Sequence, residues 1–153
     1  MGIRLLAMLA MAMMAAGCGV LEGRSPGDAT VVEVEAFKLT DAKVVALAGA
    51  GGGKAVVLAD ESSSAEIALP ALKKGTYELL VYGFAPSYEE DAVLVSVGDQ
   101  AYERLVLPDI NKLLPAGPLT FTLAKDGACK VEISYTEDNV QLDRIEIRPA
   151  KQE

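Results

Sequence analysis

The chain has 153 residues, with 14 Lys or Arg against 22 Asp or Glu, so its formal net charge is −8; it contains no His. This acidic balance argues against nucleic acid as a partner, because binding to phosphate depends on clustered Lys and Arg. Without His the chain lacks the commonest acid–base group of enzymes, and no acidic pair stands out as catalytic. The composition therefore predicts a protein that is not an enzyme.

The first 17 residues have the pattern of a signal peptide. Arg4 precedes an apolar run from Leu5 to Ala16, which is too short to span a bilayer as a permanent helix. The run ends in Ala15-Ala16-Gly17-Cys18, which resembles the bacterial lipobox, a motif whose Cys becomes lipid-modified and then forms the new N-terminus. The resemblance implies lipidation of Cys18. An ordinary secretory peptide with an incidental Cys18 is the alternative.

Residues 18–30 are predicted to form a lipidated tether. Val20–Ala29 is rich in Gly, includes Pro26 and has no hydrophobic period. Lipid chains on Cys18 would anchor the protein to a membrane, since each buried CH₂ contributes roughly 0.8 kcal/mol. Because Gly19 rather than Asp follows the Cys, sorting rules of some Gram-negative bacteria suggest the outer membrane. We therefore expect a lipid-anchored protein of the bacterial cell envelope.

The rest of the chain has the two-residue alternation of β-strands. One helical turn is also considered at Lys112–Leu114, where Pro108 and Pro115 limit its length. Ten short strands with almost no helix predict an all-β sandwich or barrel. The predicted strands are Thr30–Phe37, Val44–Leu47, Lys54–Leu58, Ala65–Leu69, Thr76–Phe84, Ala92–Val97, Tyr102–Leu107, Leu119–Ala124, Cys129–Tyr135 and Val140–Arg148.

In two of these predicted strands the residue pattern also indicates which side chains are buried. Thr76–Phe84 is the most continuous apolar run, so we expect a central strand that is covered on both faces. Cys129 shares its parity with Val131, Ile133 and Tyr135, which places its thiol on the core face as a small hydrophobe and argues against a disulfide with Cys18.

The last predicted strand changes parity along its length. Val140 and Leu142 are apolar on one parity, whereas Ile145 and Ile147 are apolar on the other. A strand with one buried face cannot do this without an extra residue. We therefore predict a β-bulge at Asp143-Arg144, a feature that often re-aims a side chain beside a functional site.

Five blocks of the sequence resemble, in order, those of family 6 and family 35 carbohydrate-binding modules. The resemblance implies a galactose-binding-like jelly-roll β-sandwich, here residues 31–149 with a tail at 150–153. The blocks are Glu33 to Phe37, Gly51 to Val56, Leu72 to Tyr82, Glu90 to Val97 and Glu137 to Ile145.

The family resemblance implies a structural calcium ion that joins the first strand to the last. Carried over by motif, its side-chain ligands are Glu33, Glu35 and Asp143, with backbone carbonyls from Gly51 to Lys54. Glu33 and Glu35 lie two residues apart, on one face of the predicted strand, and carboxylates held together repel unless solvated or bridged by a hard cation. A solvated acidic edge is the alternative.

Sugar-binding relatives use aromatic rings and a loop Asn or Asp, because a pyranose has an apolar face and hydroxyls that need directed partners. By this resemblance the leading ligand contacts are Tyr88 and Asn139, followed by Phe84 and Tyr102. Each has a structural alternative: Asn139 could occupy a left-handed turn position, and Tyr102 could be ordinary strand surface. The chain has no Trp, the residue that most often forms the platform in such modules.

The sequence as a whole predicts a non-catalytic, calcium-stabilised carbohydrate-binding lipoprotein, whose partners are a glycan or polysaccharide and a membrane. The alternative is a structural or protein-interaction module of the cell envelope that has lost sugar binding and contacts other envelope proteins. The missing Trp favours this alternative.

Overall fold

The computed structural model describes residues 29–151, which form an almost entirely β structure. The predicted signal peptide, Cys18, the tether up to residue 28, and residues 152–153 lie outside the described residues. Within residues 29–151, no helix is long and apolar enough to cross a membrane. The strands are β1 Thr30–Glu33, β2 Lys38–Thr40, β3 Lys43–Ala46, β4 Lys54–Leu58, β5 Ser64–Ala68, β6 Gly75–Phe84, β7 Ala92–Val97, β8 Glu103–Val106, β9 Leu113–Leu123, β10 Lys130–Ser134 and β11 Val140–Pro149.

The strands form two antiparallel sheets, and the predicted jelly-roll β-sandwich is confirmed. One sheet has the order β3-β4-β11-β6-β9, with β1 also paired to β11, and the other has the order β2-β5-β10-β7-β8. The core lies between them, because apolar side chains alternate inward from both. Its fully buried members include Val56, Leu79 and Ile145 from the first sheet and Ile67 and Ile133 from the second.

Strand β11 organises the first sheet because two strands share one of its edges. Strand β4 pairs with residues 140–142, and β1 pairs with residues 144–147. Strand β6 runs along the other edge, and its register with β11 shifts between Leu142 and Arg144. The predicted bulge is thus confirmed, and Asp143 lies where β1 and β4 meet end to end.

The predicted first strand, Thr30–Phe37, is wrong in its second half. Strand β1 ends at Glu33, and a 3₁₀ turn follows over Val34–Ala36 before β2 begins in the opposite sheet. Val34 is buried by this turn, whereas Ala36, which would share its face in a regular strand, is exposed. Glu33 and Glu35 therefore do not share a strand face. Strand β2 was not predicted, because only Leu39 in it is apolar.

Two other predictions also need correction. Lys112–Leu114 is not a helical turn, because Leu113 already begins β9, which runs through Pro115 and Pro118. Prolines are tolerated here because β9 lies at the edge of its sheet. Strand β6 is internal, but only its inner face is fully covered; Tyr82 and Phe84 on its outer face are half-buried.

The sandwich has two distinct ends. One, which we call the loop end, carries the connections 59–63, 85–91, 107–112 and 135–139. The other, which we call the terminal end, carries the connections 69–74, 98–102 and 124–129, together with the start of β1 and the end of β11. Thr30 pairs with Ile147, so β1 begins near the end of β11 that is remote from the loop 135–139.

Candidate functional site

The meeting point of β1 and β4 gathers the predicted calcium ligands around one glycine turn. We call Glu33, Glu35, Asp143 and the turn Gly51–Gly53 the junction site. Asp143 is completely buried, and the backbone N–H of Gly51 donates a 2.6 Å hydrogen bond to its Oδ1. The bulge causes this arrangement, because an unpaired residue in a strand turns its side chain out of the regular alternation.

The carboxylates of the two glutamates lie against the same turn. A Cβ built on Gly51 would overlap Glu33 Oε2, and one built on Gly52 would lie 2.6 Å from Glu35 Oε1. The glycines thus leave space that the carboxylates fill. Gly52 also has φ +60°, a left-handed conformation that glycine adopts without strain.

The electrostatics of the junction site are dominated by an unpartnered buried carboxylate oxygen. Glu33 Oε2 is buried and accepts no hydrogen bond. Burial raises the pKa of Glu33 above its ordinary value, and the neighbouring Asp143 carboxylate raises it further, although Arg144 opposes both effects. Negative charge is therefore concentrated here with one buried oxygen unsatisfied, a situation that a bound cation would relieve.

The negative charge of Asp143 is paired with the positive charge of Arg144. The Arg144 guanidinium donates to Asp143 Oδ2 and lies 4.0 Å over the ring centroid of Tyr82. Across the described part of the chain, no three Asp, Glu or Cys side chains are gathered tightly enough to surround a metal ion. The carboxylates of the junction site are thus neighbours, not a closed coordination shell.

Three of the four predicted ligand contacts come together at the loop end. Phe84 ends β6, and Tyr88 is 70% exposed in the following connection. Asn139 ends the connection 135–139, and its Nδ2 donates a 2.9 Å hydrogen bond to Glu90 Oε1. Asn139 has φ +59°, so the left-handed turn position considered for it is confirmed.

Tyr102 lies away from these residues. It precedes β8, whose Glu103 pairs with Val95, whereas the loop-end start of β7 at Ala92 pairs with Val106. Tyr102 is 48% exposed near the terminal end. It therefore lies at the opposite end of the sandwich from Tyr88 and Asn139.

Glu137 is a central residue of the loop end for which sequence reasoning assigned no role. Its Oε2 accepts hydrogen bonds from the backbone N–H groups of Asp91 (2.8 Å) and Ala92 (2.9 Å), and its Oε1 accepts one from Arg104. These bonds join the connection 135–139 to β7 and β8. The partners are remote in sequence, so no local pattern could have identified them.

We expect Glu137→Gln to lower the free energy of unfolding at pH 7 by about 1.5–3 kcal/mol, because charge-assisted hydrogen bonds are lost. Burial raises the pKa of Glu137, but bonds from Arg104, Asp91 and Ala92 outweigh it and hold the pKa below the ordinary 4.5. The stabilisation is therefore present above pH 4.5 and is lost as the pH falls through the folded-state pKa.

Urea denaturation followed by circular dichroism from pH 7 to pH 3 would measure this difference. Glu89→Gln, an exposed glutamate in the neighbouring connection, is the control and should change little. A Glu137→Gln loss that stays constant down to pH 3 would contradict the assignment.

A cavity of about 640 Å³ opens at the terminal end and contains none of the predicted site residues. Its walls include Val97, Phe121 and the half-buried Cys129. Burial raises the pKa of the Cys129 thiol, which keeps it protonated and makes it a poor nucleophile. The thiol packs against the core, as its parity predicted.

A comparison with protein-family models gives no match, and no curated protein matches the chain. Solved structures do match. A GH26-CBM35 β-(1,4)-mannanase from Podospora anserina is 18% identical, with a TM-score of 0.73 over 84% of this chain and 29% of the enzyme. An exo-β-1,3-galactanase from Phanerochaete chrysosporium is 19% identical, with a TM-score of 0.67 over 78% of this chain and 29% of the enzyme.

A family 35 carbohydrate-binding module from Clostridium thermocellum is similar over nearly its whole length. It is 16% identical, with a TM-score of 0.63 over 78% of this chain and 98% of the module. The chain thus spans less than a third of the two fungal enzymes but almost all of the bacterial module. At these identities the likeness shows a shared fold.

Proposed function

We propose that this chain is a non-catalytic, calcium-stabilised carbohydrate-binding domain of a bacterial lipoprotein. The observation that carries the proposal is the fold match to a family 35 carbohydrate-binding module, which extends over 98% of that module. The fungal enzymes match over less than a third of their length, so the similarity to them does not extend to a whole enzyme.

The loop end is the proposed glycan-binding surface. Tyr88 exposes a ring that could stack on the apolar face of a sugar, and the nearby Asn139 and Glu90 carry polar groups for its hydroxyls. Loops held by a rigid sheet scaffold are common places for such sites. Glu137 supports this surface, because it ties the loop before β11 to β7 and β8.

The residues of the junction site fit a calcium ion by their chemistry. Calcium prefers oxygen ligands, and Glu33, Glu35 and Asp143 supply carboxylates beside the backbone of Gly51–Gly53. The unpartnered buried Glu33 Oε2 is the observation that favours a cation there. When bound, the ion would neutralise these carboxylates and link β1, β4 and β11; Asp143 already bridges β11 to the Gly51 turn.

The topology is consistent with a membrane tether on Cys18. Strand β1 starts at the terminal end, and the loop end lies at the other end of β11. A lipid anchor upstream of β1 would therefore join the domain at its terminal end and leave the loop end remote from the attachment point. Mass spectrometry of the mature N-terminus tests the tether, and an unmodified Cys18 thiol would contradict it.

A structural or protein-interaction module of the cell envelope is the second candidate function. The polar groups of the loop end already bind each other, as in the Asn139–Glu90 and Glu137–Arg104 contacts. Among the predicted contacts gathered there, Tyr88 is the exposed ring, whereas Phe84 is half-buried. A single exposed ring makes a smaller sugar platform than a pair of rings.

We expect Tyr88→Ala to weaken glycan binding at least about tenfold, equivalent to about 1.4 kcal/mol, with almost no change in stability, because Tyr88 is 70% exposed. A glycan array with calcium present would identify a ligand, and calorimetry would then compare the variants. Tyr102→Ala is the matched control, since Tyr102 is an exposed tyrosine at the other end of β7.

Equal losses in the two tyrosine variants would contradict a site at the loop end. An array without hits, from protein whose unfolding is stabilised by calcium, would favour the interaction module over the glycan-binding domain.

A further inference from the structure

Arg144 occupies a constrained position beside the junction site. In the β-sheet register it pairs with Glu33 on β1 and with Tyr82 on β6, so these three side chains form a row across the outer face of the sheet. Its guanidinium lies over the Tyr82 ring at 4.0 Å and donates to Asp143 Oδ2. The side chain of Arg144 is only 27% exposed.

Both oxygens of Asp143 are therefore engaged by groups of the protein itself. Oδ1 accepts from the Gly51 N–H and Oδ2 from Arg144. A fully buried carboxylate needs such partners, because an unpaired buried charge is strongly destabilising. Glu33 Oε2, by contrast, is buried without a partner. Arg144 thus neutralises the Asp143 carboxylate, whereas Glu33 Oε2 remains without a hydrogen bond.

We propose that Arg144 is an internal counterion that competes with a divalent cation for Asp143 and so sets the calcium affinity of the junction site. The inference rests on the proposed calcium site. A calcium ion bound by Glu33, Glu35 and Asp143 would compete with the guanidinium for the negative charge of the Asp143 carboxylate, and like charges repel. Where the ion takes Asp143 Oδ2, Arg144 must release that oxygen.

The guanidinium can remain stacked on the Tyr82 ring after it releases Asp143. Cation–π attraction and the hydrogen bond from Tyr82 Oη to Glu146 Oε2 (3.2 Å) keep the ring in position on the outer face. The arginine therefore stabilises the metal-free fold and lowers the affinity for metal.

Calorimetric titration of the purified protein with calcium chloride tests this inference. Arg144→Gln should bind calcium about tenfold more tightly than the natural protein, a difference of about 1.4 kcal/mol. In EDTA its melting temperature should be lower, because Asp143 has lost its counterion. Arg148→Gln is the control, since Arg148 lies on the same face of β11 but pairs with Glu78 (2.8 Å); its calcium affinity should be unchanged.

Arg144→Lys provides a second variant should Arg144→Gln fold poorly. It keeps the charge but loses the planar guanidinium, so its calcium affinity should lie between those of the natural protein and Arg144→Gln. Weaker or unchanged calcium binding in both Arg144 variants, while the natural protein binds, would overturn the competition and leave the calcium site intact. No saturable binding by any of the proteins would overturn the calcium site itself and this inference with it.

Discussion

Asp143→Asn is expected to lower the free energy of unfolding by about 3 kcal/mol or more, because it breaks a buried charged pair. The side chain is fully buried and accepts from both Gly51 N–H and Arg144. An asparagine amide has one acceptor oxygen, so its NH₂ group must face one of these two donors. The stabilisation by calcium should disappear as well, since a proposed ligand carboxylate is removed.

Urea denaturation followed by circular dichroism, in EDTA and in calcium, would measure both effects; the chain has no Trp for fluorescence detection. Asp99→Asn is the control, because Asp99 is exposed in the connection after β7 and should change stability little. A loss of less than about 1 kcal/mol for Asp143→Asn would show that the bulge does not depend on this carboxylate.

Gly51→Ala is expected to abolish most of the stabilisation by calcium. The new methyl group would overlap Glu33 Oε2 and displace the Glu33 carboxylate from the glycine turn. The backbone at Gly51 is not in the left-handed region, so alanine adds no conformational strain there. With calcium at about 100 times its Kd, the natural protein should gain about 2.7 kcal/mol, and the variant should gain little.

Thermal unfolding with and without calcium separates this effect from a general loss of stability. Gly49→Ala is the matched control: Gly49 has φ +87° with open space around its Cβ position. Its variant should lose about 1–2 kcal/mol through backbone strain yet keep the full response to calcium. If Gly51→Ala responds to calcium as the natural protein does, Glu33 is not a ligand.

The junction site was partly predictable because the bulge at its centre changes the hydrophobic alternation of the residues around it. The parity change between Leu142 and Ile145 revealed the bulge at Asp143, since alternation reports directly which face of a strand is buried. The end of β1 at Glu33 has no such signal in the hydrophobic pattern. Val34 and Ala36 fit a strand pattern, and only packing against other strands turns this segment into a 3₁₀ turn.

The all-β class, most of the strands and the bulge could be predicted, because each depends on residues that are close in the chain. Contacts between remote residues could not: Arg144 over Tyr82, Glu137 on the start of β7, and Tyr102 far from Tyr88. These contacts depend on strand order and register. Both arise from the packing of two whole sheets, so the hydrophobic periodicity of a single segment does not reveal them.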